Sequence, residues 1–160
     1  MNRSRRLPVL AAFVFTAALT SSCNLFGGES RSAAGLPTGT LRISGSGGQT
    51  IIQVEIAESE RERRTGLMFR RHLAPDAGMA FLFERPTRTA FWMMHTFIPL
   101  SIAFWDGSNR IVAMYDMDPC TRVRCPVYAA QTPIVGAVEA NRGFFKAHGI
   151  RVGATIELDR

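Results

Sequence analysis

From residue 41 onward the chain alternates apolar and polar positions with a period of two, the spacing of a strand with one face on a core. Leu41-Arg42-Ile43 and Ile51-Ile52-Gln53-Val54-Glu55-Ile56 flank Gly45-Ser46-Gly47-Gly48 and predict a hairpin. Ser59 to Gly66 breaks the alternation. Ser59 with Glu62 three residues on reads as a capping box, and Gly66 stands where a helix stops, so about two turns of helix are expected. Strands are predicted again at Met79–Phe83, Thr89–Met94, Ser101–Trp105 and Arg110–Tyr115, the last two joined by the turn Asp106-Gly107-Ser108-Asn109. Ile134–Ala140, a short helix around Gly143–His148 and a closing strand near Ala154–Leu158 complete the pattern. About eight short strands with two short helices make a mainly β protein, a compact β-sandwich or barrel.

The first 40 residues follow another logic. Arg3, Arg5 and Arg6 precede an apolar run, Val9 to Leu19, of 11 residues, too short to cross a bilayer core of about 30 Å as a helix. Thr20-Ser21-Ser22 and then Cys23 complete a signal-peptide layout that resembles a bacterial lipobox. Residues 1–22 are therefore expected to be a lipoprotein signal peptide, with Cys23 the lipidated start of the mature protein. Residues 23–40, rich in Gly, Ser, Ala and Pro, are expected to be a flexible tether, and 41–160 a single β-rich domain. That arrangement would hold the protein to a bacterial envelope membrane through a lipid anchor, facing the periplasm.

Charge and cysteine content refine this picture. The formal charge is +6, but three of the 19 bases lie in the leader; the 16 that remain face 13 acids, leaving +3. No dense basic patch interleaved with aromatics occurs, which argues against nucleic acid as a partner. Of the three cysteines, lipidation would use Cys23 and leave Cys120 and Cys125 as a pair. In an oxidising compartment the expectation is a structural disulfide closing a short loop. A redox pair usually has two intervening residues rather than four, and zinc would need two further ligands. No cofactor or metal is expected.

Several motifs occur in a fixed order: Arg64-x-Gly66-Leu67-Met68-Phe69-Arg70, Gly78-Met79-Ala80-Phe81, Phe91-Trp92-Met93, Ile98-Pro99-Leu100, Pro119-Cys120, Cys125-Pro126-Val127-Tyr128, Glu139-Ala140-Asn141-Arg142-Gly143 and His148-Gly149-Ile150-x-Val152-Gly153. Over about residues 50 to 158 this series resembles the bacterial and archaeal domain-of-unknown-function 192 family. The resemblance implies a small, mostly β domain, frequently exported, and supplies no activity. Two positions depart from the family pattern: Met94-His95-Thr96 stands where Lys-Asn-Thr is usual, and Ser101 where Asp is usual.

The candidate chemistry is sparse. Arg64 and Arg70 could grip a carboxylate or phosphate; Trp92 and Trp105 could offer flat faces to a sugar or peptide; or both could be core. His95 and Thr96 follow Trp92, and Glu139 could pair with Arg64 or Arg70. No nucleophile elbow or metalloprotease motif is present, so no residue is assigned a catalytic role. The expected site is Arg64, Arg70, Trp92, His95, Thr96 and Glu139, a non-catalytic surface for a small molecule, a glycan or an envelope protein. Two alternatives stand beside it: a hydrolase-like enzyme using His95 with a carboxylate such as Glu139, and a periplasmic copper binder using Met93, Met94 and His95.

Overall fold

The computed structural model describes residues 31–122 and 124–160; the leader and Cys23 lie outside them. The hairpin predicted first is present as β1 (Thr38–Gly45) and β2 (Gly48–Ala57), paired in antiparallel register from Thr38↔Glu55 to Gly45↔Gly48. β1 begins inside the stretch expected as tether. Just before it, Arg31 bridges Pro37 around a turn in which the Gly35 amide donates to the Ser32 carbonyl. Leu36 there packs on the core, so the ordered domain starts before Leu41.

α1 (Glu60–Thr65) is the expected short helix, and its capping box is complete: Ser59 accepts from the Glu62 amide while the Glu62 carboxylate accepts from the Ser59 amide. Those bonds hold the Glu62 carboxyl below its ordinary range. Segment 58–76 carries the chain over to β3 (Ala77–Thr87), which pairs with β2 in parallel, a pairing that requires such a crossover.

β3 is followed by β4 (Phe91–Trp92), β5 (Leu100–Trp105), β6 (Ile111–Met117), β7 (Val127–Tyr128), β8 (Ile134–Asn141), α2 (Phe144–Ala147) and β9 (Thr155–Asp159). Seven strands form one sheet in the order β6-β5-β8-β3-β2-β1-β9, and β4 with β7 make a separate ribbon. The sheet curls until its two edges meet at one end. There the Ile111 amide donates to the Ala154 carbonyl and the Ile156 amide to the Asn109 carbonyl, each at 2.8 Å. The described residues thus make a mainly β half-barrel of nine strands and two short helices.

Two expectations change. The strand expected at Thr89–Met94 shrinks to two residues, because His95 adopts a left-handed φ of +59° and Met94 keeps only an isolated bridge to Cys120. β7 went unseen, being two residues long and placed by the cysteine loop, whose Cys120–Cys125 disulfide is formed.

Both faces of the central strands are buried. Leu41, Ile43, Ile52, Val54, Val138 and Ile156 fill the concave side, closed by Phe144 and Phe145 of α2. Met79, Phe81, Leu100, Ile102, Phe104 and Met117 face the other way, packed with Phe91, Met93, Ile98, Cys120 and Tyr128. β5 shows the division residue by residue: Leu100, Ile102 and Phe104 point to one core, Ala103 and Trp105 to the other. Ser101 lies on the concave side, fully buried. It accepts from the Gly143 amide at 2.8 Å and donates to Asp116, its register partner on β6. Where the family pattern has an Asp, this chain thus brings a carboxylate from the neighbouring strand.

Candidate functional site

Glu139 lies mid-strand in β8, between β3 and β5, opposite Met79 on one side and Ile102 on the other. Both neighbours are fully buried and apolar, and Glu139 itself is 5% exposed. Removal from water disfavours the charged form, and burial pushes its carboxyl up from 4.5 to about 8. Among the described residues it has neither an ion pair nor a side-chain hydrogen bond. Its expected partners are committed elsewhere: Arg64 to Glu60 at 2.7 Å on the surface, and Arg70 to Glu55 through two bonds of 2.5 and 3.0 Å. The expected pairing of Glu139 with either arginine is therefore not formed.

The carboxyl instead faces a cleft of about 640 Å³. Phe81 and Phe83 project from β3 on the same face as Glu139, two residues apart as strand geometry requires. Phe91 and Trp92 come from β4, and the segment after it returns Thr96, which is buried and makes no side-chain hydrogen bond among the described residues. Gly66 ends α1 at φ +47°, where a Cβ would come within 3.3 Å of the Phe81 ring, and it lets Leu67 and Met68 form another wall. Phe81 meets Phe91 edge to face at 5.0 Å, fixing the angle between two of the walls.

The rim is set by α1. Arg63 spans the gap to the sheet, donating to the carbonyls of Glu58 and, at 2.9 Å, Leu82, with its guanidinium 5.1 Å from the Phe83 centroid. Arg64 and Glu60 stand beside it, both exposed. The cleft is thus apolar on its walls, ionic at its mouth, and carries an acid and a hydroxyl at depth. The two polar side chains have no protein partner, so whatever satisfies them comes from the cleft itself.

Four of the six expected residues therefore meet here: Arg64, Trp92, Thr96 and Glu139. The other two stand apart. His95 is exposed and stacks on Phe69 at 5.4 Å between ring centroids, in a surface knuckle where the Phe69 amide donates to the His95 carbonyl at 2.8 Å. Phe69 has φ +64°, rarely tolerated by a bulky residue. His95 does not line the cleft that holds Glu139, so the geometry does not assemble the hydrolase pair. Met93 is buried in the core while His95 is exposed, and a copper site would have to draw Met93 out of its packing. Trp105 is likewise core. The cleft phenylalanines went unassigned because Phe81 and Phe83 carry the same alternation as core positions; only a neighbouring acid with no base opposite distinguishes that face.

Arg70 is a structural residue. Its bidentate, partly buried pair with Glu55 ties the segment after α1 to β2. Replacing Arg70 with Met, which keeps the apolar stem, is expected to cost about 1 kcal/mol once solvent screening is allowed for. A urea titration of both proteins measures it. An unchanged midpoint would show that the pair contributes nothing.

Residues 41–158 match the model of a family of uncharacterized proteins, the domain of unknown function 192. Among solved structures, a protein of unknown function from Novosphingobium aromaticivorans DSM 12444 is similar at a TM-score of 0.76 and 28% identity, over 82% of this chain and 94% of that one. A protein from Sinorhizobium meliloti 1021, described as a candidate transcription regulator, is similar at a TM-score of 0.72 and 27% identity, over 82% of this chain and 98% of that one. No curated protein matches the chain.

Proposed function

We propose that this chain, which belongs to the domain-of-unknown-function 192 family, is a non-catalytic envelope module that binds a small molecule in the cleft above Glu139. The observation that carries this reading is the pair of polar side chains at depth, Glu139 and Thr96, buried yet without protein partners in an aromatic-walled cleft. A carboxyl held in the middle of a sheet costs stability. A fold that needed only packing there would be better served by an apolar residue, so the acid is best explained by what enters the cleft. Glycan or peptide ligands would use Trp92, which is 49% exposed at the mouth.

An acid with a raised pKa also suits general acid catalysis. The lining argues for binding instead: among the described residues it contains no Ser, Cys or His, and its only other carboxylate is the exposed Glu60 at the rim. Envelope location rests on the leader, on Cys23 and on the even cysteine pair that lipidation leaves. It predicts a mature protein beginning at an acylated Cys23.

Two measurements test the proposal. In a spectrum of the labelled protein titrated with a library of small metabolites and short oligosaccharides, the Trp92 indole and Thr96 signals are expected to shift together. Shifts confined to Phe69, His95 and Phe97 would move the site to the surface knuckle and overturn the cleft reading. Mass spectrometry of the protein recovered from membranes is expected to find diacylglycerol on Cys23. A mature chain starting elsewhere, without acyl mass, would remove the anchor.

A further inference from the structure

Resting on that reading, we infer that the ligand carries a cationic nitrogen, seated against the Glu139 carboxyl in the cleft walled by Phe81 and Phe91 and, at its mouth, by Trp92. A buried, unpartnered acid is matched by a group that supplies both positive charge and N–H donors, and an ammonium supplies both. Aromatic walls add attraction through the negative faces of their rings, and this attraction grows as water is excluded. Thr96, also buried, lines the same cleft and offers a second acceptor.

The existing cations do not fill this role. Arg63 is tied to two backbone carbonyls and lies over Phe83, and Arg64 is held by Glu60 at the surface. Both sit on α1 at the mouth. An anionic group entering the floor would meet an acid with no base beside it, so any anionic part of the ligand belongs at the rim, near those arginines. The ordering of charge in the cleft is thus acid inside and base outside, which selects for direction as well as for class.

The inference predicts a linkage to protons. Glu139 is mostly neutral in the empty cleft at pH 7, and a bound ammonium favours its carboxylate, so binding releases a proton. The other charged groups lining the cleft are Glu60, Arg63 and Arg64 of α1; β3, the segment from Thr87 to Thr96 and β8 add none besides Glu139.

The test uses the purified protein with benzylammonium and 2-phenylethylammonium, each paired with the corresponding neutral alcohol, followed by calorimetry and by the Trp92 indole signal. The ammonium ions are expected to bind in preference to the alcohols, about tenfold more tightly at pH 7 than at pH 6, with the gain levelling off above about pH 8. In Glu139→Gln the preference and its pH dependence are expected to vanish together, since the amide fills the same space without the charge. If the alcohols bind at Trp92 as tightly as the ammonium ions, or better toward low pH, the cationic ligand is wrong while the cleft remains a binding site. If no probe of either kind moves Trp92, the inference and the cleft reading fall together.

Discussion

Glu139→Gln is expected to make the protein more stable, and to do so only above the pH at which the unfolded chain's carboxyl ionises. The sign follows from the proton count. In the unfolded chain the acid titrates near 4.5, and in the fold near 8, so between those values the folded state holds a proton that the unfolded state has lost. The parent keeps the full stability of its neutral acid below about pH 4.5 and loses it as pH rises toward 8. The whole window amounts to a loss on the order of 5 kcal/mol. Glutamine is isosteric and never ionises. The variant should match the parent near pH 4, exceed it by roughly 3 kcal/mol at pH 7, and level off above 8. Denaturant titrations of both proteins across this range, compared pH by pH, cancel the other carboxylates. Equal stability at pH 4 and pH 8 would mean that Glu139 meets water or a base in the folded state, and the account of the cleft floor would fail.

Such a gain is informative because it is available by one substitution and the chain does not take it. Stability forgone at a buried acid is a common mark of a site in use. The rest of the core shows how apolar the alternative is, since Met79, Phe81 and Ile102 around Glu139 are all fully buried or nearly so.

Much of the fold was legible because each level of the sequence agrees with the next. The Gly45–Gly48 turn, the Ser59 capping box and the alternation of β2, β5 and β8 each specify one element, and those elements appear in the structure. Periodicity failed where tertiary contacts override it. β4 and β7 are two residues each and exist because the Cys120–Cys125 loop lays one beside the other. Sheet order was not legible either: the parallel pairing of β2 with β3 depends on a crossover whose direction no local pattern records. At the site, Trp92, Thr96 and Glu139 were legible only as residue types: a ring the strand pattern could equally send to the core, a hydroxyl just past the predicted strand, and a carboxylate within an apolar one. Arg70 and His95 were misleading because their spacing places them beside the cleft residues along the chain, while the backbone turns at Phe69 and His95, both with positive φ, leave Arg70 paired with Glu55 and His95 on the surface. The acid's lack of a partner is a property of three strands brought together, and one strand's sequence does not contain it.

Gly136→Ala is expected to be the most damaging single methyl in the protein. Gly136 pairs with Trp105 of β5 and with Leu82 of β3, so it is held from both sides. A Cβ there would lie 2.1 Å from Cζ2, 2.4 Å from Cε2 and 2.7 Å from Cη2 of the Trp105 indole. Three ring atoms within that reach mean that the indole covers the glycine Cα. A flexible side chain could give way, but Trp105 is 4% exposed and packed in the concave core with Ile111 and Val138. The ring must leave its rotamer or the two strands must separate, and either outcome exceeds ordinary overpacking, so a loss of about 3 kcal/mol or more is expected. The clash is local and therefore reversible by removing its other half. Trp105→Leu alone should cost roughly 2–4 kcal/mol through lost burial, yet combined with Gly136→Ala it should cost less than the two single losses added. A denaturant-based double-mutant cycle measures this coupling. Additive losses, or a Gly136→Ala protein within about 0.5 kcal/mol of its parent, would show that the indole is free to move and that the glycine is not required by it.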